Sequence, residues 1–326
     1  MAGFVKKQST IYVAGGETLI GAAILRALRQ QGYANVVGGR DAEPNLTDGT
    51  AVDGFLKRVR PEYVFLAAGK SGGIAANQKY PADLLTDNLL AECHVVHHGF
   101  RHGVKKLLFL ASSCCYPRQC PQPMKEEALL TGPLESTNEA YAVAKIAGIK
   151  LCQAYSRQYG VEFIPAIPAN VFGPGDDFSP DDSHVVAALI RRMHEAKVRG
   201  GPSVEIWGTG SARREFVYVE DVADASIFVM DRYSGTNPVN LGCGSVVSIA
   251  ELAGLVKEVI GFQGKISYDT SKPDGMPVKI LDSSKLTAWG WRPRVPLRTA
   301  LEKTYEWFLQ SGGGEDAKTG NNRRGK

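Results

Sequence analysis

The chain has 326 residues, 44% hydrophobic and 22% charged, with a formal net charge of +4. Acids and bases are interspersed, which excludes the basic block a nucleic-acid binder needs, and no run of about eighteen apolar residues offers a membrane span. Six irregularly spaced cysteines make neither a disulfide framework nor a zinc-type pairing, and Met1 to Thr10 lacks an apolar leader, so the expectation is a cytoplasmic protein of one or two domains without a structural metal.

Apolar runs and helical periodicity alternate through the first half. Ile11 to Ala14 reads as a strand, Leu19 to Gln31 as an amphipathic helix, and Asn35 to Val37 as a second strand. Thr50 to Val59 is helical, Tyr63 to Ala67 a third strand, and Ala82 to His102 a long helix. Lys106 to Ala111 is a fourth strand, Asn138 to Tyr159 a strongly helical segment, and Val161 to Ala166 a fifth strand. Short apolar strands alternating with helices predict an α/β fold with a doubly wound parallel sheet covered on both faces. After Asn170 the pattern loosens into Gly-, Pro- and Asp-rich loops with helices near 184–197, 219–232, 248–260 and 297–310. This predicts a dinucleotide-binding domain over 1–170 with a return segment near 215–242. A smaller α/β lobe over 171–311 is interleaved with it, and a disordered tail covers 312–326.

The first strand runs into AGGETLIG, where Gly15 and Gly21 stand as the outer glycines of a G-x-x-G-x-x-G turn. Such a strand-to-helix turn presents backbone amides and a helix N-terminus to a pyrophosphate. Thr18 stands where the middle glycine would let the cofactor approach, and Glu17 puts a carboxylate near phosphates. Arg40 ends the second strand, where an acid would bind the ribose hydroxyls of NAD and a base favours the 2′-phosphate of NADP; Asp41 beside it pulls the other way. The balance favours NADP.

Tyr141 and Lys145 lie four apart in EAYAVAKIAGIKL, one turn apart on one helix face. An ammonium beside a phenol favours the phenolate, so the pair can pass a proton to or from an oxygen while hydride moves at its carbon. Ser112, at the end of the fourth strand, can offer a hydroxyl to the same oxygen. Together with the glycine turn, these residues resemble the extended short-chain dehydrogenase/reductases.

The resemblance narrows on longer motifs. KSGGIAANQKYPADLLTDNL (70–89), SSCCYP (112–117), PLESTNEAYAVAKIAGIKLCQAYSRQYG (133–160), PANVFGPGDDFSPDDSHVVAALIRRMHEA (168–196), WGTGSARREFVYVEDVADA (207–225) and SKPDGMPVKILD (271–282) are similar to the GDP-L-fucose synthases. The similarity implies a Rossmann fold, a homodimer formed partly by the helices around 82–102 and 138–159, and a GDP-sugar substrate. The implied reaction epimerises carbons 3 and 5 of GDP-4-keto-6-deoxymannose and reduces carbon 4 with NADPH. In that scheme Cys114 and His184 are the proton-transfer pair for epimerisation, and Tyr141, Lys145 and Ser112 serve the reduction. The cofactor would be held by Gly15, Gly16, Thr18, Leu19, Ile20, Gly21, Arg40, Asn45, Leu46, Leu110, Ala111, Ser113, Lys145, Pro168, Asn170, Val171 and His184. The GDP-sugar would be held by Arg192, Trp207, Arg214, Asp274 and Lys279. The chain departs from the family at Glu17, Thr18 and Val278, all on the nucleotide-binding side. Two other readings stay open: a related GDP-sugar epimerase or reductase, and a nucleotide-binding homologue with little activity.

If the chain stays extended past the fourth strand, alternation puts Ser112 and Cys114 on one side and turns Ser113 and Cys115 away. Cys115, Cys93, Cys120, Cys152 and Cys243 are then expected to be small buried packing residues. His94 and His98, one helical turn apart, lack a third metal ligand in the sequence.

Overall fold

The computed structural model describes residues 5–39, 42–180, 182–272 and 274–313; Arg40 and all but the first two residues of the expected tail lie outside them. The first half runs β1 (Thr10–Ala14), α1 (Leu19–Gln30), β2 (Asn35–Val37), α2 (Gly49–Val59), β3 (Tyr63–Leu66), α3 (Ile74–Lys79), α4 (Pro81–Arg101), β4 (Lys106–Leu110), α5 (Glu139–Tyr159) and β5 (Glu162–Pro168). The second runs β6 (Asn170–Phe172), α6 (Val185–Arg199), β7 (Ser203–Trp207), β8 (Arg213–Arg214), β9 (Phe216–Tyr218), α7 (Val219–Arg232) and β10 (Val239–Leu241). It closes with β11 (Val247–Ser248), α8 (Ile249–Ile260), β12 (Lys265–Asp269), β13 (Val278–Lys279), α9 (Ser284–Ala288) and α10 (Leu297–Gln310).

Six parallel strands form the central sheet in the order β10-β5-β4-β3-β1-β2. Its central strands β3 and β4 are buried at every residue, which is what strands covered on both faces require. Strand order reverses between β1 and β3, so a crevice opens at their carboxyl ends. The α1 stripe of Ala23, Ile24, Leu25 and Leu28 is buried. Sealing an Ile or Leu in this way contributes about 1.5–3 kcal/mol per side chain. The sixth strand, β10, escapes a reading of the sequence because three residues show no periodicity; the chain returns to the sheet there, pairing β10 with β5. The remaining strands make small separate sheets, β11-β8-β13, β12-β7 and β6-β9, beside α6, α8 and α10.

Asp53 on α2 meets His98 Nδ1 on α4 at 2.9 Å and His102 Nε2, just past α4, at 2.8 Å, so the third ligand-type group that the sequence does not reveal is present, beside His98 and His102 rather than His94. The cluster clasps α2 to α4. Of the cysteines expected to be buried, Cys115 and Cys152 are, whereas Cys93 is exposed on α4 and Cys120 and Cys243 are half-buried. No helix of the described residues is long and apolar enough to cross a membrane.

Candidate active site

The glycine turn sits where β1 meets the switch point. Gly15 has φ +81°, and a Cβ there would stand 2.4 Å from the Ala68 Cα that follows β3; a Cβ on Gly21 would stand 2.0 Å from the Gly15 carbonyl oxygen. Only hydrogen fits at either place. Thr18 caps α1: its hydroxyl accepts from the Gly21 amide at 3.1 Å and lies 2.8 Å from the Gly15 carbonyl, to which it donates. The threonine thus replaces glycine with a side chain that knits the turn together. A residue the sequence does not single out completes it. The Glu43 carboxylate accepts from the amides of Gly15 (2.8 Å), Gly16 (2.6 Å) and Gly39 (2.8 Å), making the turn an anion-binding nest with its own carboxylate inside.

At the other end, β4 stops at Leu110 and Ser112 is extended, but Ser113–Cys115 form a 3-10 turn. The strand-like alternation therefore does not continue through Cys115. The turn is closed by the Ser112 hydroxyl, which accepts from the Cys114 amide at 3.3 Å. Ser112, Ser113 and Cys114 all face a cavity, while Cys115 is fully buried and its thiol is pushed up to about 12 by burial. Two donors converge on the Cys114 sulfur: Asn138 Nδ2 at 3.1 Å and Lys279 Nζ at 3.6 Å. Lys279, expected among the substrate contacts, thus stands against the candidate base.

Tyr141 opens α5 and Lys145 follows one turn later, its Nζ 5.8 Å from the Tyr141 ring centroid. Burial pushes the phenol up, with Cys114, Cys115 and Glu92 adding to the rise and the Ser112 side chain opposing it by hydrogen bonding. The lowering expected from Lys145 does not prevail over burial, and the ammonium lies 3.1 Å from the buried Glu92. His184 caps α6 and exposes its ring to the cavity. The protein around that ring pushes the imidazole below its ordinary value; Asp177 opposes this and Lys279 reinforces it. Asp176, in the loop before α6, is pushed up to about 7 by burial, and its Oδ2, at the cavity wall, has no hydrogen-bond partner among the described residues.

Ser112, Cys114, Asn138, Tyr141, Lys145, Asp176 and His184 line one cavity of about 1090 Å³. Thr18, Leu19, Ile20, Leu110, Ala111, Ser113, Pro168, Asn170 and Val171 reach its wall, as do Arg192, Trp207, Arg214, Asp274 and Lys279. Gly15, Gly16 and Gly21 shape the turn behind it. Asn45 and Leu46 are not among its lining: the Asn45 side chain accepts from Thr47, and the Leu46 carbonyl meets His94 Nδ1. Arg214 donates to the Asp274 carbonyl at 3.2 Å, and the Asp274 carboxylate holds Thr209, so the two fix each other's loops. Residues missed from the sequence leave uneven traces. Glu92 is a charge inside the buried stripe of α4, a signal that could have been found. Asn138 reads as a helix cap, and Asp176 is lost in a loop of similar residues.

The glycine cradle that any Cβ would fill, beside a helix N-terminus at the switch point, fits a dinucleotide. Residues 11–242 match the NAD dependent epimerase/dehydratase family. The chain belongs to that family. Among its relatives in this family, GDP-L-fucose synthase 1 of Arabidopsis thaliana is 54% identical over 305 residues, covering 94% of each chain. A GDP-6-OMe-4-keto-L-xylo-heptose reductase from C. jejuni superposes with a TM-score of 0.88 at 35% identity, covering 94% of this chain and 99% of that one. A GDP-L-fucose synthetase from Naegleria fowleri, solved with NADP bound, gives a TM-score of 0.87 at 27% identity over 98% of each.

Proposed function

We propose that the chain is an NADP-dependent epimerase-reductase that converts GDP-4-keto-6-deoxy-D-mannose to GDP-L-fucose. The observation that carries this is the meeting of two proton-transfer sets on one cavity: Cys114 with His184, and Tyr141 with Lys145 and Ser112. NADPH, when bound, supplies the hydride for carbon 4.

The 4-keto group acidifies the hydrogens on carbons 3 and 5. Cys114 and His184 exchange protons at those carbons, each centre inverting through an enolate when the proton leaves one face and returns on the other. Asn138 and Lys279 both donate toward the Cys114 sulfur, which suits a sulfur that carries negative charge while it acts as base. Tyr141, raised by burial, holds its proton and gives it to oxygen 4 as the hydride arrives. Arg192 and Arg214 offer guanidinium groups to the diphosphate, and Trp207 its indole, from the lobe around α6, β7 and β8.

A homodimer through α4 and α5 is part of the proposal: the helices pack together and leave Leu90, Val143 and Tyr159 exposed. A reducing cytoplasm suits the reading too, since a catalytic thiol must stay free and the six cysteines are unpaired.

The test is to follow NADPH oxidation with GDP-4-keto-6-deoxymannose, identify the product by NMR, and record deuterium uptake at carbons 3 and 5 without NADPH. Wild type is expected to give GDP-L-fucose with exchange at both carbons. Cys114→Ser is expected to lose exchange while retaining some NADPH oxidation. Reduction without inversion in the wild type would make the chain a reductase like its C. jejuni neighbour, and exchange that survives Cys114→Ser would remove the thiol from the mechanism.

A further inference from the structure

We propose that Glu92 is a positioning residue for the reduction, holding Lys145 from behind and neutralising its ammonium so that Tyr141 keeps the proton it must donate. This rests on the reading of Tyr141 as the proton donor. Glu92 lies on the face of α4 that packs against α5 and is 1% exposed. Its Oε1 stands 3.1 Å from Lys145 Nζ, and apart from this ion pair neither oxygen has a hydrogen-bond partner among the described residues. Burial pushes the Glu92 carboxyl up and the Lys145 ammonium opposes this, so the lysine is what makes a carboxylate tenable at the position.

The surroundings are shaped to hold the pair. A Cβ on Gly148 of α5 would lie 2.5 Å from Glu92 Oε2 and 2.5 Å from the Phe109 ring. A Cβ on Gly69, just past β3, would lie 2.1 Å from Asn88 Oδ1 and 3.1 Å from Lys145 Nζ. Gly148 thus leaves room for the carboxylate, and Gly69 for Asn88 beside the ammonium. Lys145 Nζ also lies 3.4 Å from the Ala68 carbonyl, to which it donates, so the ammonium is fixed between the switch-point crevice and Glu92.

A bare ammonium beside a phenol pulls it toward phenolate, and a phenolate has no proton to give. A lysine paired with a carboxylate presents little net charge, and the phenol stays protonated. The pair therefore tunes the site toward reduction of a ketone. Other titratable groups face the same place: Cys114 and Cys115 toward Tyr141, and Cys93 and Cys152 toward Glu92. Glu92→Gln leaves all of them in place.

The decisive measurement needs no substrate. The tyrosinate signal that Tyr141→Phe removes is titrated in wild type and in Glu92→Gln. Ionisation is expected to move to lower pH by on the order of one unit in the variant. NADPH oxidation requires the protonated phenol and falls as pH rises through its ionisation, so its alkaline limb is expected to shift down by the same amount with KM unchanged. An unmoved titration overturns the proposal. If the titration moves but the substrate is not turned over, the functional reading fails and the role of Glu92 in setting the phenol stands. Should Glu92→Gln fold poorly, Glu92→Gln with Lys145→Met is expected to melt higher than either single variant, because neither charge is then stranded; a double variant no more stable than Glu92→Gln would also overturn it.

Discussion

The two ends of the cavity are built from different parts of the chain. At the glycine turn the polar groups are backbone amides of Gly15, Gly16 and Gly39, gathered on one carboxylate. At the strand end they are side chains: Asn138 and Lys279 on Cys114, and Glu92 on Lys145. Backbone amides persist whatever residue carries them, so the first end accommodates Thr18 where the family pattern has glycine. At the second end the identity of each side chain is the chemistry. The family departures at Glu17 and Thr18 fall at the backbone-built end, and the residues assigned to chemistry are intact at the other.

This contrast can be broken. Tyr141→Phe is expected to cut NADPH oxidation by about 10²–10⁴-fold while NADPH binding, followed by fluorescence, stays within a small factor. A matching loss of binding would mean the two ends are not separable.

Asp176 sharpens the side-chain end. Its carboxyl is raised to about 7 in the folded protein and is ordinary when unfolded, so the unfolded state gives up the proton first as pH rises. Its contribution is complete below the unfolded value and is lost as pH rises through the folded one. Between about pH 4 and about pH 7, wild type is expected to lose on the order of 4 kcal/mol relative to Asp176→Asn, read from denaturant unfolding at each pH. Parallel pH curves would show that the carboxyl is solvated.

Two smaller effects test the backbone end. Glu43→Ala strands three amides and is expected to lower the melting temperature by about 5 °C, with the pH profile of turnover unchanged. Thr18→Ala removes a helix cap and is expected to cost about 1 kcal/mol in denaturant unfolding. A changed pH profile in either variant would tie the turn to the proton chemistry and erase the distinction.

What the sequence determined by itself is what neighbours along the chain decide. Alternation and helical spacing depend on residues two to four apart, so β1, α1, β3, β4 and α5 are readable, as is the stacking of Tyr141 over Lys145 on one helix face. The outer glycines of the turn are readable for the same reason. Only the tertiary structure decided what those elements meet. Glu43 reaches Gly15 across 28 residues because parallel strand order brings the ends of β1 and β2 together, and Lys279 reaches Cys114 across 165 because the small β11-β8-β13 sheet packs over the end of β4. The 3-10 turn after β4 likewise defeats strand alternation at Cys114, since its backbone follows the Ser112 cap rather than the pleat. Glu92 marks the boundary between the two: its charge interrupts an apolar stripe visible in the sequence, but only the packing of α4 on α5 shows that Lys145 is its partner.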